Sequence, residues 1–128
     1  MSKEIDLALE KLQKAFKQLE AGARQSKTDL QRDGVIQRFE FTYELLWKAF
    51  KVVLEDQGIK TSTPKESFQM AFKKGYLFNE KVFLEMLKAR NILSHHYSEE
   101  DSKKIFRDIK AIFIPAIAKT LKLLKINN

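Results

Sequence analysis

The sequence predicts an all-α protein: an up-and-down antiparallel bundle of four main helices plus one short helix, forming a single domain over residues 1–128. Three observations carry that prediction. Apolar residues recur at spacings of three and four along most of the chain. No stretch alternates apolar and polar residues at the period of two that a half-buried strand requires. Only four glycines and two prolines interrupt 128 residues, so there is little room for turns. The hydrophobic share of 44% and charged share of 32% belong to a globular chain, long enough to bury a core without a staple. With no cysteine, disulfides, thiolate metal sites and thiol nucleophiles are excluded.

Taken in order, Ile5, Leu9, Leu12, Phe16 and Leu19 form one apolar stripe on a first amphipathic helix, with Gly22 as its expected stop. Lys11, Lys14 and Lys17 lie on its solvated side. The second helix, roughly Leu30 to Asp56, is the longest. Ile36, Phe39, Tyr43, Leu46, Phe50 and Val53 make a three-four seam, and Val35, Phe41, Leu45, Ala49 and Val52 widen it. A helix apolar on more than one side sits centrally or supports a subunit contact. On it Glu40, Glu44 and Lys48 form an i,i+4 ladder, which either stabilises the helix or supplies a carboxylate that orients a base or arginine elsewhere. Trp47 reads as core or interface.

Gly58 ends that helix, and Thr63, Pro64 and Glu66 start a short third one, which Gly75 breaks. Asn79 caps a fourth helix with Val82, Phe83, Met86, Ala89 and Leu93 on its inner face. Ser98 with Asp101 caps a fifth, bearing Ile105, Phe106, Ile109, Ile112, Phe113, Ile117 and Leu121. Pro115 should kink that helix after roughly four turns.

Chemistry concentrates between the fourth and fifth helices, in Arg90-Asn91-Ile92-Leu93-Ser94-His95-His96-Tyr97, which holds both histidines of the chain. Histidine titrates near neutrality and can take a proton from a ribose 2′-OH; arginine can grip a phosphate and stabilise charge growing on its oxygens. Together they would cleave RNA through a 2′,3′-cyclic phosphate. Equally, such a histidine can be a hydrogen-bonded structural group, and such an arginine can pair with a glutamate. Arg90 and His95 stand about 140° apart around a helix. They converge only if Arg90 reaches round, if the helix ends near Ser94, or if two copies face each other. His95 and His96, being adjacent, make a poor chelating pair, and no HExxH, clustered carboxylate set or Gly-rich phosphate loop is present. No metal or cofactor is expected.

The formal charge of +7, from 24 Lys+Arg and 17 Asp+Glu, suits a polyanionic partner such as RNA, or simply reflects solvated helices. No long uncharged apolar run and no signal-peptide pattern occur, so no membrane association is expected and the cytoplasm is the expected compartment.

Arg90-Asn91-x3-His95 resembles the Arg-polar-x3-His core of the HEPN superfamily of all-α bundles. With Tyr97 it extends to Arg-x4-His-x-Tyr, the pattern of HEPN toxins paired with a minimal nucleotidyltransferase (MNT) antitoxin. Arg32 to Lys48 (RDGVIQRFEFTYELLWK) is similar to the signature of a narrower family, the substrate-binding subunit of a two-protein nucleotidyltransferase. The resemblance spans nearly the whole chain. It implies a homodimer whose two Arg90/His95 sets face a shared cleft. It implies a ribonuclease in which Arg90 and His95 are catalytic and Asn91 orients them, and a cognate MNT protein as partner. Tyr97 becomes a target for AMP transfer by that partner, which would set a phosphate beside His95. The toxin reading makes the chain an enzyme; the subunit reading makes it a non-catalytic module for a nucleotidyltransferase.

Overall fold

A computed structural model describes residues 2–127. It is an all-α helical bundle, with no strand among the described residues. The helices are α1 (Lys3–Gln25), α2 (Asp29–Asp56), α3 (Pro64–Lys73), α4 (Glu80–Leu93), α5 (Glu99–Asp108) and α6 (Ile114–Asn127). A π-helical turn, Ile109–Phe113, joins α5 to α6, so the last pair forms one long element.

Local chemistry sets each start. Thr28 caps α2 in a full capping box: its hydroxyl accepts from the Gln31 N–H at 3.1 Å, while Gln31 accepts from the Thr28 N–H at 3.2 Å. Thr63, Asn79 and Ser98 cap α3, α4 and α5. Gly58 and Gly75 end α2 and α3 with φ of 83° and 81°, a left-handed conformation that a side chain would strain.

Helix α2 is central, packing against α1, α3, α4 and α5. Its Phe39, Leu46, Phe50 and Val53 have no solvent exposure. Phe39 stacks on Phe113 with ring centroids 5.4 Å apart, while Phe68 meets Phe50 and Phe83 edge-on at 5.9 and 5.6 Å. The outer α2 face is different: Phe41 is 59% exposed, and Leu45, Trp47 and Val52 are half-buried. Of the residues that widen the seam, Val35 and Ala49 thus join the core, while Phe41, Leu45 and Val52 reach the surface.

Two expectations need correction. Gly22 does not end α1, which continues to Gln25. Its missing side chain makes room for Arg38 of α2, whose guanidinium donates to the Gln18 carbonyl at 2.8 Å. A Cβ on Gly22 would stand 2.8 Å from Arg38 Nη1. The irregularity expected at Pro115 takes the form of a π turn just before it, at the residues whose i→i−4 pattern a proline at 115 interrupts. Ile105, Ile109, Phe113, Ile117 and Leu121 are all buried at steps of four. Four such steps would drift about 160° round an α-helix, and the residue inserted by the π turn takes back about 100°. The stripe therefore stays on the core. The same reset turns Ile112 outward, 44% exposed, against its expected place in that stripe.

Candidate functional site

The site is assembled where α4 stops. Leu93 is buried and fixes the last turn; beyond it Ser94 folds back. The Ser94 N–H donates to the Arg90 carbonyl at 3.1 Å, its hydroxyl donates to the Asn91 carbonyl at 2.8 Å, and the His95 N–H donates to the Ile92 carbonyl at 3.2 Å. These bonds satisfy the orphan carbonyls of the helix end. His95, His96 and Tyr97 then bridge to Ser98, where the α5 capping box begins. His95 consequently lies off the helix rather than on it, free of the 140° separation from Arg90 that an unbroken helix would impose.

Arg90, on the final turn, is half-buried and lies over α2. Its Nε is 3.9 Å from Glu44 Oε1. Glu44 is itself held by the Trp47 indole, which donates to its Oε2 at 3.2 Å, and it has Lys48 at 3.9 Å. Burial pushes the Glu40 carboxyl above its usual range, and the Arg90 charge partly opposes that. The Tyr43 phenol is pushed up to about 12 by burial first and by Glu44 second, with Arg90 acting the other way. Arg90 is therefore flanked by Glu40, Tyr43 and Glu44 of one α2 face.

Of the residues singled out in the sequence, the structure brings together Arg90, Glu44 and Glu40. His95, His96, Asn91 and Tyr97 are exposed, Tyr97 by 44%. The side chains of Asn91 and His95 make no hydrogen bond with any described residue of this chain. No group of three or more His, Asp or Glu side chains among the described residues is placed to hold a metal ion. Two features escaped the sequence reading: the Tyr43 ring beside Arg90 and the Trp47 indole that fixes Glu44. The three-residue step from Glu44 to Trp47 on one helix was the available signal for the second. Chemically the arrangement offers a guanidinium paired with Glu44, a second carboxylate, Glu40, near enough to feel its charge, and an accessible imidazole five residues on.

Comparison with known proteins agrees with this architecture. Residues 6–126 match the family described as nucleotidyltransferase substrate binding protein like. Over 86 residues the chain is 30% identical to the probable ribonuclease HepT of Haemophilus influenzae, a match covering 63% of this chain and 59% of that protein, under two thirds of its length. A crystal structure of a protein from Thermus thermophilus superposes with a TM-score of 0.75 at 29% identity, covering 91% of this chain and 97% of the other. The chain belongs to the nucleotidyltransferase substrate-binding-protein-like family, within the HEPN superfamily of helical bundles.

Proposed function

We propose that the chain is a HEPN-type toxin, a metal-independent endoribonuclease that a partner MNT nucleotidyltransferase silences. The observation that carries the reading is the pairing of a carboxylate-held Arg90 on the last turn of α4 with an unpartnered, exposed His95 just past its end. In the proposed reaction the His95 imidazole accepts the proton of a ribose 2′-OH, and the 2′-oxygen attacks the adjacent phosphorus. Arg90 stabilises the charge on the non-bridging oxygens, and Asn91 orients the phosphate. The 5′-oxygen leaves and is protonated, giving a 2′,3′-cyclic phosphate and a 5′-hydroxyl. The similarity to a protein named a probable ribonuclease supports this assignment.

Two copies complete the proposed site. A homodimer formed through the outer faces of α2 and α4 would cover Phe41 and Ile92 and open both Arg90/His95 sets into one cleft. Tyr97, exposed beside His95, is the proposed acceptor of AMP from the partner.

The test is cleavage of RNA in EDTA by the full chain. His95→Ala and Arg90→Ala each lose at least about a hundredfold in rate, on the scale of removing one oxyanion donor. Glu44→Gln loses no more than about tenfold, because a pair this exposed is worth about 1 kcal/mol or less. Equal cutting by the wild type and the His95 and Arg90 variants refutes the proposal. A second reading, a non-catalytic substrate-binding subunit of a two-component nucleotidyltransferase, is favoured by the family description. It predicts no cleavage by wild type and altered product formation by the nucleotidyltransferase when this chain is added.

A further inference from the structure

Two neighbouring hollows lie between the end of α1, the start of α2 and the α5–α6 element. The larger, about 260 Å³, is walled by the α1–α2 connection and by α5, and lined by Lys27, Asp29, Arg32, Lys103, Phe106 and Arg107. The smaller, about 210 Å³, is lined by Glu20, Ala23, Arg24, Lys110 and Ile114. Lys110 Nζ of the second stands 5.2 Å from the centre of the Phe106 ring of the first. Lys103, Arg107 and Lys110 follow one another at steps of four and three, so they share one face of the α5 element. Arg24 and Lys27 supply the opposite wall at the end of α1.

The charge balance of this groove is positive. Arg24, Lys27, Arg32, Lys103, Arg107 and Lys110 stand against Glu20, Asp29 and Glu99, an excess of three. Arg32 is the best fixed of them, with 13% of its side chain exposed. Its guanidinium lies 3.2 Å from Asp29 and 3.7 Å from Glu99, and its buried Nε has no partner among the described residues. The ion pair to Glu99 also locates the groove. Glu99 is four residues past His95, and four residues span at most about 14 Å. The groove mouth therefore opens within a few nucleotides of the proposed cutting site.

We propose that this groove holds the phosphate backbone of single-stranded RNA beside the cut, with Lys103 and Arg107 each neutralising a phosphate. The chemistry matches a strand rather than a small ligand: the cations are spread over two neighbouring hollows rather than gathered at one point, and the aromatic Phe106 lines one of them. The inference rests on the ribonuclease reading for its ligand but is tested by binding alone.

The experiment uses His95→Ala chain and a fluorescent single-stranded RNA, with affinity measured across a salt series. Each phosphate neutralised on a single strand contributes about 0.7 to the slope of log affinity against log salt. Lys103→Gln with Arg107→Gln should lower that slope by about 1.4, and weaken binding at 0.1 M salt by about 25-fold. Lys73→Gln with Lys119→Gln removes the same charge at the other end of the bundle, where Lys119 neighbours Phe78 and Asn79. That pair should leave the slope unchanged. Equal weakening by both pairs would overturn the groove, as would competition by AMP or by polyglutamate as strong as by RNA. Unchanged binding in the Lys103/Arg107 variant of an enzyme that still cuts RNA defeats the groove and spares the ribonuclease. Binding with the expected slope by a wild type that never cuts does the reverse.

Discussion

Two glycines lie inside helices, and the structure predicts opposite consequences for the same substitution. Gly34 faces open space in α2: a Cβ there would meet nothing within 4 Å. Gly34→Ala should therefore gain the full helix propensity of alanine over glycine, about 0.8–1 kcal/mol. For a chain of this length that raises Tm by roughly 4 °C. Gly22 stands under Arg38, and its Cβ would lie 2.8 Å from Nη1. The side chain is free to swing away, but only by giving up its bond to the Gln18 carbonyl. An exposed hydrogen bond is worth about 0.5–1.5 kcal/mol, so it cancels the propensity gain and Gly22→Ala should be neutral or slightly destabilising. Urea unfolding at one fixed protein concentration measures both, with an unchanged m value. In an Arg38→Ala background, Gly22→Ala should recover the whole gain, closing a double-mutant cycle with about 1 kcal/mol of coupling. Equal stabilisation by the two glycine substitutions with Arg38 intact would refute this account of α1–α2 packing.

Three further outcomes follow from the same structure. The Tyr43 phenol is held at about 12, above its ordinary value near 10, so the unfolded chain ionises first as pH rises. Its contribution is complete below pH 10 and is lost between 10 and 12, on the order of 2–3 kcal/mol; Tyr43→Phe should flatten that part of the stability profile, and identical profiles would contradict it. Phe41, 59% exposed on α2, is proposed to be covered in the homodimer, so wild type should sediment as a dimer at micromolar concentration and Phe41→Glu as a monomer. A wild-type monomer would remove the shared cleft. Incubated with the proposed nucleotidyltransferase partner, ATP and Mg²⁺, the chain should gain one adenylyl mass on the peptide containing Tyr97, and Tyr97→Phe should not; an unchanged mass with an active nucleotidyltransferase would remove the proposed silencing.

The helices and their caps were legible because each signal is local. Thr63-Pro64, Asn79 and Ser98 announce their helices within four residues, and the seam of α2 repeats over about five turns. What failed depended on a neighbour. Gly22 looks like a stop until Arg38, sixteen residues on, is seen to occupy the space beside it. Ile112 reads as part of the core stripe, yet the steps of four from Ile105 to Leu121 contain the extra residue that the π turn absorbs, and Ile112 faces out. Of the site, a helix end near Ser94 was one of the foreseen geometries; the Glu40/Glu44/Lys48 ladder was open between helix support and an orienting carboxylate, and Glu44 lies 3.9 Å from both Lys48 and Arg90. The basic groove was not foreseen, because its cations come from Arg24 to Arg32 and Lys103 to Lys110, segments that only folding brings together.

The chemistry assigned to Arg90 and His95 is tested most directly by the ends it leaves. RNA digested by the purified chain in EDTA should carry 2′,3′-cyclic phosphate and 5′-hydroxyl termini, and a substrate with 2′-deoxyribose at the cut position should stay whole. His95→Ala should leave no such ends while keeping the helical content and melting temperature of the wild type. Products ending in 3′-hydroxyl and 5′-phosphate, or cleavage of the 2′-deoxy substrate, would contradict attack by the 2′-oxygen and with it the role given to His95.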